Sequence, residues 1–349
     1  MLLEGLFLPM TTPFYGDGRL YLRKLEHNAE RYSRTLAAGL AVLTPVGEPA
    51  RLSDEEQGLA LKSVAEATAQ ETVLLADVSR GGVRGVLAMA ETAAALQYDV
   101  ALLRLPTRAG GASVREQRTM AFSVADRSPL PIVLLEEREE ALPVELVTEL
   151  AGHRQILGWV ATASGVEAVQ AVLARTAGVG REVTVTPVFE AVTARMLQQR
   201  TTSAAVTYIA AESLAAGGMM TLAAPAAEPA IKTRTRRVGF QVLAGRAESS
   251  LALLRGGAKG TLLPFGICAP QACHEVLAAW KDDDQALARE KFERVLQAAR
   301  TIEDTMGVAG LKAAADLNGY FGGSPRLPGL PLLRVEKNEV ERLMQSMRN

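Results

Sequence analysis

The sequence predicts an α/β protein that folds as one (β/α)₈ barrel, the TIM-barrel architecture. Short apolar runs alternate with longer amphipathic segments, which is typical of β–α units whose parallel strands close into a barrel. The length of 349 residues suits a single barrel with additions. We expect the barrel over residues 1–281, an insertion over 181–237 between the sixth and seventh units, and a C-terminal helical appendage over 282–349.

Eight strands are predicted from short apolar runs that end at polar or turn-forming residues. Helices are expected between them, from Leu22 to Ala38 after the first strand and from Glu248 to Arg255 after the seventh. In chain order, the predicted strands are Gly5 to Pro9, Ala41 to Leu43, Val73 to Val78, Val100 to Leu105, Pro131 to Leu135, Ile156 to Ala161, Gln241 to Ala244 and Gly260 to Pro264.

The segment from Arg181 to Arg237 separates the sixth unit from the seventh strand. It contains a strand-like run from Glu182 to Val188, a helix-like run from Ala204 to Leu214 and an Ala/Pro-rich turn from Ala223 to Pro229. A structureless loop of this length is unusual in a compact domain, so we expect it to be partly ordered. It could form a lid, plug the barrel mouth or make an oligomer contact.

The region after the barrel is expected to be helical. Gln285 to Met306, Gly310 to Asn318 and Val335 to Met347 each have a helical pattern, and Gly/Pro-rich turns separate the last two. This region is therefore predicted as an appendage of three helices.

The balance of charges excludes some classes of partner. Lys and Arg number 38 and Asp and Glu 39, which argues against nucleic acid as a main partner. No run approaches the roughly 18 apolar residues of a membrane span, so we expect no membrane partner and a cytoplasmic location. Cys268 and Cys273 are predicted as buried reduced thiols.

The histidines argue against a metal centre. His27 lies in the first helical segment, His153 in a helix-to-strand turn and His274 in another helix, so they do not form a zinc-binding pattern. We expect no metal and no cofactor.

Several short motifs follow one another in an informative order. Thr12-Pro13-Phe14 precedes Gly47-Glu48, and Gly256-Gly257 approaches the eighth strand before Leu311-Lys312 and Arg326-Leu327-Pro328. In this order they resemble the dihydrodipicolinate synthase / N-acetylneuraminate lyase family. The resemblance implies a barrel, a keto-acid lyase or aldolase activity, and a homo-oligomer, either a dimer or a tetramer.

The residues that perform the chemistry of that family are replaced here. Its members hold a lysine at the end of the sixth strand, which forms a Schiff base with a keto acid, usually pyruvate. This position corresponds to Val160, or to Ala161 if the alignment shifts by one. A proton-relaying tyrosine corresponds to Leu135, and two carboxylate-binding threonines correspond to Pro45 and Val46. The resemblance therefore implies a divergent member that is inactive in the family reaction or altered in its chemistry.

Polar residues at the carboxyl ends of the strands are the candidates for a site, because barrel enzymes build their sites there. Arginines suit carboxylates and phosphates, which a guanidinium binds in a bidentate manner, and Arg108 and Arg246 are the first candidates. The alternative is that Arg104 and Arg138 pair with neighbouring carboxylates in a structural network. The candidate ligand-binding residues are Thr44, Glu48, Arg108, Thr162, Ser164 and Arg246.

Glu136 is the candidate general acid or base. Adjacent residues of a strand point in opposite directions, so at most one of Glu136 and Glu137 is expected to face the pocket. A replacement nucleophile could be Lys232, but its basic neighbours favour a solvated surface. Glu48 is expected to brace its loop as well.

Two functional hypotheses follow. The first is a divergent lyase or aldolase that acts on a keto acid or sugar acid without the imine. The second is a non-catalytic paralogue, a pseudoenzyme, that binds a small anionic molecule or a protein partner. They differ in whether an acid or base side chain is placed in the barrel mouth, and in whether the insertion leaves that mouth open.

Overall fold

The computed structural model describes residues 1–197 and 232–347. Within these residues, eight parallel strands close into a barrel, and a two-stranded antiparallel sheet follows the sixth barrel strand. The strands are β1 (Gly5–Pro9), β2 (Gly39–Val42), β3 (Val73–Asp77), β4 (Val100–Leu103), β5 (Ile132–Leu135), β6 (Ile156–Ala161), β7 (Arg181–Val185), β8 (Arg234–Val238), β9 (Gln241–Ala244) and β10 (Gly260–Leu262).

Helices of the described chain follow the barrel strands and then extend beyond them. They are α1 (Leu22–Ser33), α2 (Asp54–Ala67), α3 (Val83–Ala95), α4 (Val114–Ala125), α5 (Val144–Ala151), α6 (Val166–Arg175), α7 (Ala247–Arg255), α8 (Pro270–Lys281), α9 (Gln285–Ala299), α10 (Gly307–Leu317) and α11 (Arg334–Met344). No helix in this part of the chain is both long and apolar enough to cross a membrane.

Each barrel strand is buried on both faces, as parallel strands covered by helices require. In β5, Val133 and Leu135 belong to the cluster that fills the barrel interior, whereas Ile132 and Leu134 pack against the surrounding helices. The strand order in the barrel is β1-β10-β9-β6-β5-β4-β3-β2, which closes the sheet. The predicted (β/α)₈ barrel is therefore confirmed.

The insertion begins and ends with the β7–β8 hairpin, whose first strand overlaps the predicted run from Glu182 to Val188. The predicted helix from Ala204 to Leu214 and the turn from Ala223 to Pro229 lie outside the described residues. Arg181 donates to the backbone carbonyls of Ala151 and His153, which precede β6, at 2.7 and 3.0 Å.

Other contacts join the described part of the insertion to residues that precede barrel strands. Arg236 forms an ion pair with Glu4, just before β1, at 2.9 Å. Arg195 donates to the Thr68 carbonyl at 3.0 Å, and the Ala194 N–H donates to Asp99 at 2.7 Å. The described part of the insertion therefore lies at the amino ends of the strands and leaves the mouth at their carboxyl ends open.

The C-terminal region differs from its prediction in one helix. The predicted helix from Gln285 to Met306 is α-helical as far as Ala299 and then continues as a π-helix, Arg300–Thr305. The π-helix contacts the short helical turn Pro264–Ile267, which follows β10. This packing brings residues of the C-terminal region to the mouth of the barrel.

Candidate active site

A cavity of about 130 Å³ lies at the carboxyl ends of the barrel strands. Strand ends and the loops after them supply most of its wall, as is usual for barrel enzymes. None of the described residues that line the cavity is a lysine. The polar lining residues are Thr44, Glu136, Glu137, Arg138, Thr162, Arg246 and Glu303.

Arg246 follows β9 and provides a partly satisfied guanidinium group. Its side chain forms ion pairs with Asp304 at 3.1 Å and with Glu248 at 3.4 Å. Arg138 pairs with the same Asp304 carboxylate, so one acidic group serves two guanidinium groups. The buried Nε of Arg246 has no hydrogen-bond partner among the residues that the structure describes. The guanidinium therefore retains a donor for a ligand.

Thr44 follows β2 and is 2% exposed. Its Oγ1 is buried and has no partner within the described chain. Buried polar atoms are nearly always hydrogen-bonded, and a buried polar atom without a partner needs a specific explanation. Thr44 and Arg246 both line the cavity, so a polar ligand between them would supply the missing partners.

Glu136 lies on the cavity wall, and five donors occupy its carboxylate. Oε2 accepts from the backbone N–H groups of Thr162, Ala163 and Ser164 at 2.8 to 2.9 Å. Oε1 accepts from the Ser164 hydroxyl at 2.6 Å and from the Leu142 N–H at 2.9 Å. Glu136 thus holds the loop after β6 in place, and its acid or base role stays a prediction.

Glu303 is a lining residue that the sequence analysis missed. It lies in the π-helix, is 3% exposed, and its Oε2 accepts from the Phe265 N–H at 3.1 Å. Burial, together with the neighbouring Asp304 carboxylate, raises the pKa of Glu303 to about 7. The available signal was a glutamate four residues after Ala299, on the apolar stripe of a predicted helix.

Three predicted ligand-binding residues lie outside the cavity wall. Glu48 forms ion pairs with Arg51 and, at 2.6 Å, with Lys312, so it braces its loop as expected. Arg108 pairs with Glu140 at 3.3 Å, and its side chain is 54% exposed. Ser164 acts through Glu136, to which its hydroxyl donates.

The four positions that the resemblance aligns with functional residues of the family have apolar side chains. Pro45, Val46 and Leu135 line the cavity, and Val160 lies in the cluster that fills the barrel interior. Lys232 is exposed and precedes β8, at the opposite end of the barrel from the cavity. The structure thus contradicts the suggestion that Lys232 replaces the nucleophile.

The predicted ion network is correct in part. Arg104 pairs with Asp77 at 2.9 Å and with Glu137 at 3.0 Å. Arg138 does not join this network, because it reaches the π-helix. Glu136 and Glu137 both contribute to the cavity wall, and which of them presents its carboxyl group to a ligand stays a prediction. β5 ends at Leu135, and the alternation of side chains along a strand does not apply beyond that residue.

Comparison with known proteins shows which proteins this chain is similar to. No family model matches it. A 4-hydroxy-tetrahydrodipicolinate synthase of Xanthomonas axonopodis pv. citri is 33% identical over 183 residues, which cover 50% of this chain and 58% of that relative. An L-threo-3-deoxy-hexylosonate aldolase of Hypocrea jecorina is 23% identical over 99% of this chain and 95% of its own. The relatives and structural neighbours of this chain are members of the dihydrodipicolinate synthase / N-acetylneuraminate lyase family.

A solved structure of the dihydrodipicolinic acid synthase family has the same fold. It is a prophage protein of E. coli K12, in complex with pyruvate, and it superposes with a TM-score of 0.76. The match covers 99% of both chains at 20% identity. The two curated relatives are a synthase and an aldolase.

Proposed function

We propose that this chain is an aldolase-type lyase that acts on a small keto acid or sugar acid without forming an imine. The observation that carries the proposal is the composition of the cavity wall. The cavity has the position of a barrel active site, and its described lining offers guanidinium and carboxyl groups but no lysine.

The substrate is expected to be a compact acid. A cavity of about 130 Å³ is small beside the roughly 300–1,000 Å³ of sites for drug-sized ligands. The carboxylate of a keto acid or sugar acid would accept from the free Nε of Arg246, and a carbonyl or hydroxyl group would pair with Thr44. Both protein atoms would then gain the partner that they lack within the described chain.

Cleavage of a carbon–carbon bond next to a carbonyl leaves negative charge on the enolate product. In the absence of an imine, this charge must be stabilised by fixed positive groups and hydrogen-bond donors. Arg246 and Arg138 both line the cavity, and they are held by Asp304. Such preorganised groups can stabilise the developing charge without moving during the reaction.

The aldolase of Hypocrea jecorina aligns with almost the whole chain and suggests a substrate to try. L-threo-3-deoxy-hexylosonate is incubated with the protein, and pyruvate release is followed by NADH oxidation with lactate dehydrogenase. We expect release by the wild type, at least a tenfold loss in Arg246→Gln, and no loss in Glu290→Gln, which alters an exposed residue.

The alternative is a non-catalytic protein that binds a small anion. Both functions require the cavity to bind the anion, so calorimetric titration with pyruvate is combined with the release assay to separate them. Binding of pyruvate without release of pyruvate from sugar acids would overturn the lyase and favour the binding protein. The family resemblance also leads us to propose that the protein is a cytoplasmic dimer or tetramer. Light scattering of the purified chain measures the mass of the assembly and so tests the proposed oligomer.

A further inference from the structure

The C-terminal region supplies the cavity with a carboxyl group that the strands of the barrel do not. Glu303 lies in the π-helix that follows α9, and π-helical turns are frequent at functional sites. Its side chain lines the cavity and is almost fully buried. Oε2 accepts from the Phe265 N–H, whereas Oε1 has no donor among the residues that the structure describes.

The other carboxyl groups on the wall are already engaged. Five donors occupy Glu136, and Glu137 accepts from Arg104 at 3.0 Å. Of the carboxyl groups that the described cavity wall contains, Glu303 therefore has the greatest freedom to exchange a proton with a bound molecule.

The surroundings of Glu303 favour proton exchange near neutral pH. Burial and the charge of Asp304 favour the neutral acid, while the Phe265 N–H and two guanidinium groups favour the carboxylate. With a pKa of about 7, the group can both accept and release a proton. The charged and titratable groups that face it are Asp304, Arg138, Arg246, Cys268 and Cys273, with Glu136 and Glu137 on the same cavity wall.

From this arrangement we propose that Glu303 is the acid–base residue of the site. The inference rests on the proposed lyase function. The Glu303 carboxylate takes the proton from the substrate hydroxyl beside the bond to be cleaved. That oxygen becomes the carbonyl oxygen of an aldehyde as the carbon–carbon bond breaks, and the electron pair of the bond forms the pyruvate enolate. Glu303 then returns the same proton to the enolate carbon, so no external oxidant or reductant takes part.

The return of the proton can be tested without knowledge of the aldehyde. In D₂O, the reverse of this step exchanges the methyl protons of pyruvate for deuterium, which proton NMR follows directly. We expect Glu303→Gln to slow the exchange at least ~100-fold, while calorimetry shows pyruvate binding within about twofold of the wild type. Glu303→Asp should retain a measurable part of the rate, and Glu290→Gln should match the wild type.

The pH profile separates proton transfer from a purely structural role. Because the carboxylate form removes the proton, the wild-type exchange rate should rise with pH and level off above about 7. The residual rate of Glu303→Gln should lack this step. A structural residue would lower the rate at every pH and leave the shape of the profile unchanged.

Each failure has its own signature. Wild-type exchange that persists at full rate in Glu303→Gln would overturn the role of Glu303 and leave the lyase proposal standing. A wild type that neither binds pyruvate nor exchanges its protons would contradict the lyase proposal and the role of Glu303 with it. If Glu303→Gln does not fold, the pH step of the wild type and the rate of Glu303→Asp decide the question.

Discussion

Glu303 is buried, yet its proposed role requires its carboxyl group to gain and lose a proton. The folded protein shields its carboxyl from water and places it beside Asp304, which opposes ionisation. Neighbouring guanidinium groups and one backbone N–H only partly offset this effect. A group that is poised to exchange a proton near neutral pH is consequently a source of instability once it is charged.

Replacement of Glu303 by glutamine is therefore expected to stabilise the protein at pH 8. The pKa is raised to about 7 in the folded protein from an ordinary 4.5, so the stability associated with the protonated group is present below pH 4.5 and lost as pH rises through 7. Above pH 7 the ionised group costs roughly 3 kcal/mol, which the neutral amide avoids.

Urea denaturation of both proteins at pH 5 and pH 8 measures this effect. The gain in unfolding free energy of Glu303→Gln over the wild type should be larger at pH 8 than at pH 5. An equal difference at the two pH values would show that the carboxyl group does not titrate between them.

Individual site residues could be predicted where a strand end determines them. Thr44, Thr162 and Arg246 lie within two residues of the ends of barrel strands, and all three line the cavity. Glu303 could not be placed in the same way, because its position depends on how a distant helix packs on Phe265. Arg108 lies outside the cavity wall, where it pairs with Glu140 at the surface.

The loop after β6 depends on a single side chain from the neighbouring strand unit. Three consecutive backbone N–H groups, those of Thr162, Ala163 and Ser164, converge on one oxygen of Glu136. Charge-assisted hydrogen bonds of this kind are stronger than those between neutral groups. Glu136 therefore fixes the position of the cavity wall at Thr162.

Glu136→Gln should destabilise this loop, because an amide group cannot accept from all five donors. We expect the free energy of unfolding to fall by about 2 kcal/mol, as measured by urea denaturation at pH 7. The matched change Glu139→Gln, at a side chain that is 91% exposed, should have little effect. Equal stability of both variants would argue against Glu136 as the brace of the loop.

Gly245 follows the last residue of β9 and packs closely against the cavity wall at Thr162. A Cβ atom at this position would lie 2.3 Å from Thr162 Oγ1 and 3.1 Å from the Ala161 carbonyl oxygen. Such contacts are shorter than van der Waals distances, so the chain must shift to accept a methyl group. A glycine here keeps the strand end and the cavity wall in contact.

Gly245→Ala is expected to weaken pyruvate binding at least tenfold and to lower the melting temperature by several degrees. Gly178→Ala is the matched control, because a Cβ there would meet no heavy atom within 4 Å. Calorimetric titration and thermal unfolding of both variants check the prediction. Unchanged pyruvate affinity in Gly245→Ala would separate this contact from the ligand site.

Strand positions were predicted more closely than helix ends. Three barrel strands, Gly5–Pro9, Ile156–Ala161 and Gln241–Ala244, begin and end as expected, because each is a short and mainly apolar run. The first helix was predicted to reach Ala38 but ends at Ser33. There the Thr35 hydroxyl donates to the Tyr32 carbonyl at 2.6 Å and helps to end the helix.

In the molecule as a whole, the C-terminal region and the described part of the insertion lie at opposite ends of the barrel. The C-terminal region reaches the carboxyl ends of the strands and completes the cavity. The described part of the insertion lies at the amino ends of the strands, where residues of a barrel usually contribute to stability. The sequence could not decide between these ends, because the deciding contacts join Arg195 and Ala194 to residues far earlier in the chain.

Arg195 is expected to hold the insertion against the barrel. The residue is 7% exposed, and its guanidinium donates to the carbonyls of Thr68 and Thr72. Arg195→Ala should accelerate proteolytic cleavage within residues 186–197 at least fivefold, as followed by mass spectrometry. Arg84→Ala, at an exposed position of α3, should cleave at the wild-type rate. Equal rates for both variants would contradict the anchoring role.

The central claim is that the cavity of this barrel works without an imine. The most direct measurement is the intact mass of the protein after incubation with pyruvate and borohydride, which reduces an imine to a permanent adduct on its lysine. A family enzyme that uses a Schiff base is labelled in parallel. We predict no specific adduct on this chain at pyruvate concentrations that saturate the cavity. A stoichiometric adduct at one lysine would contradict the account and identify the nucleophile.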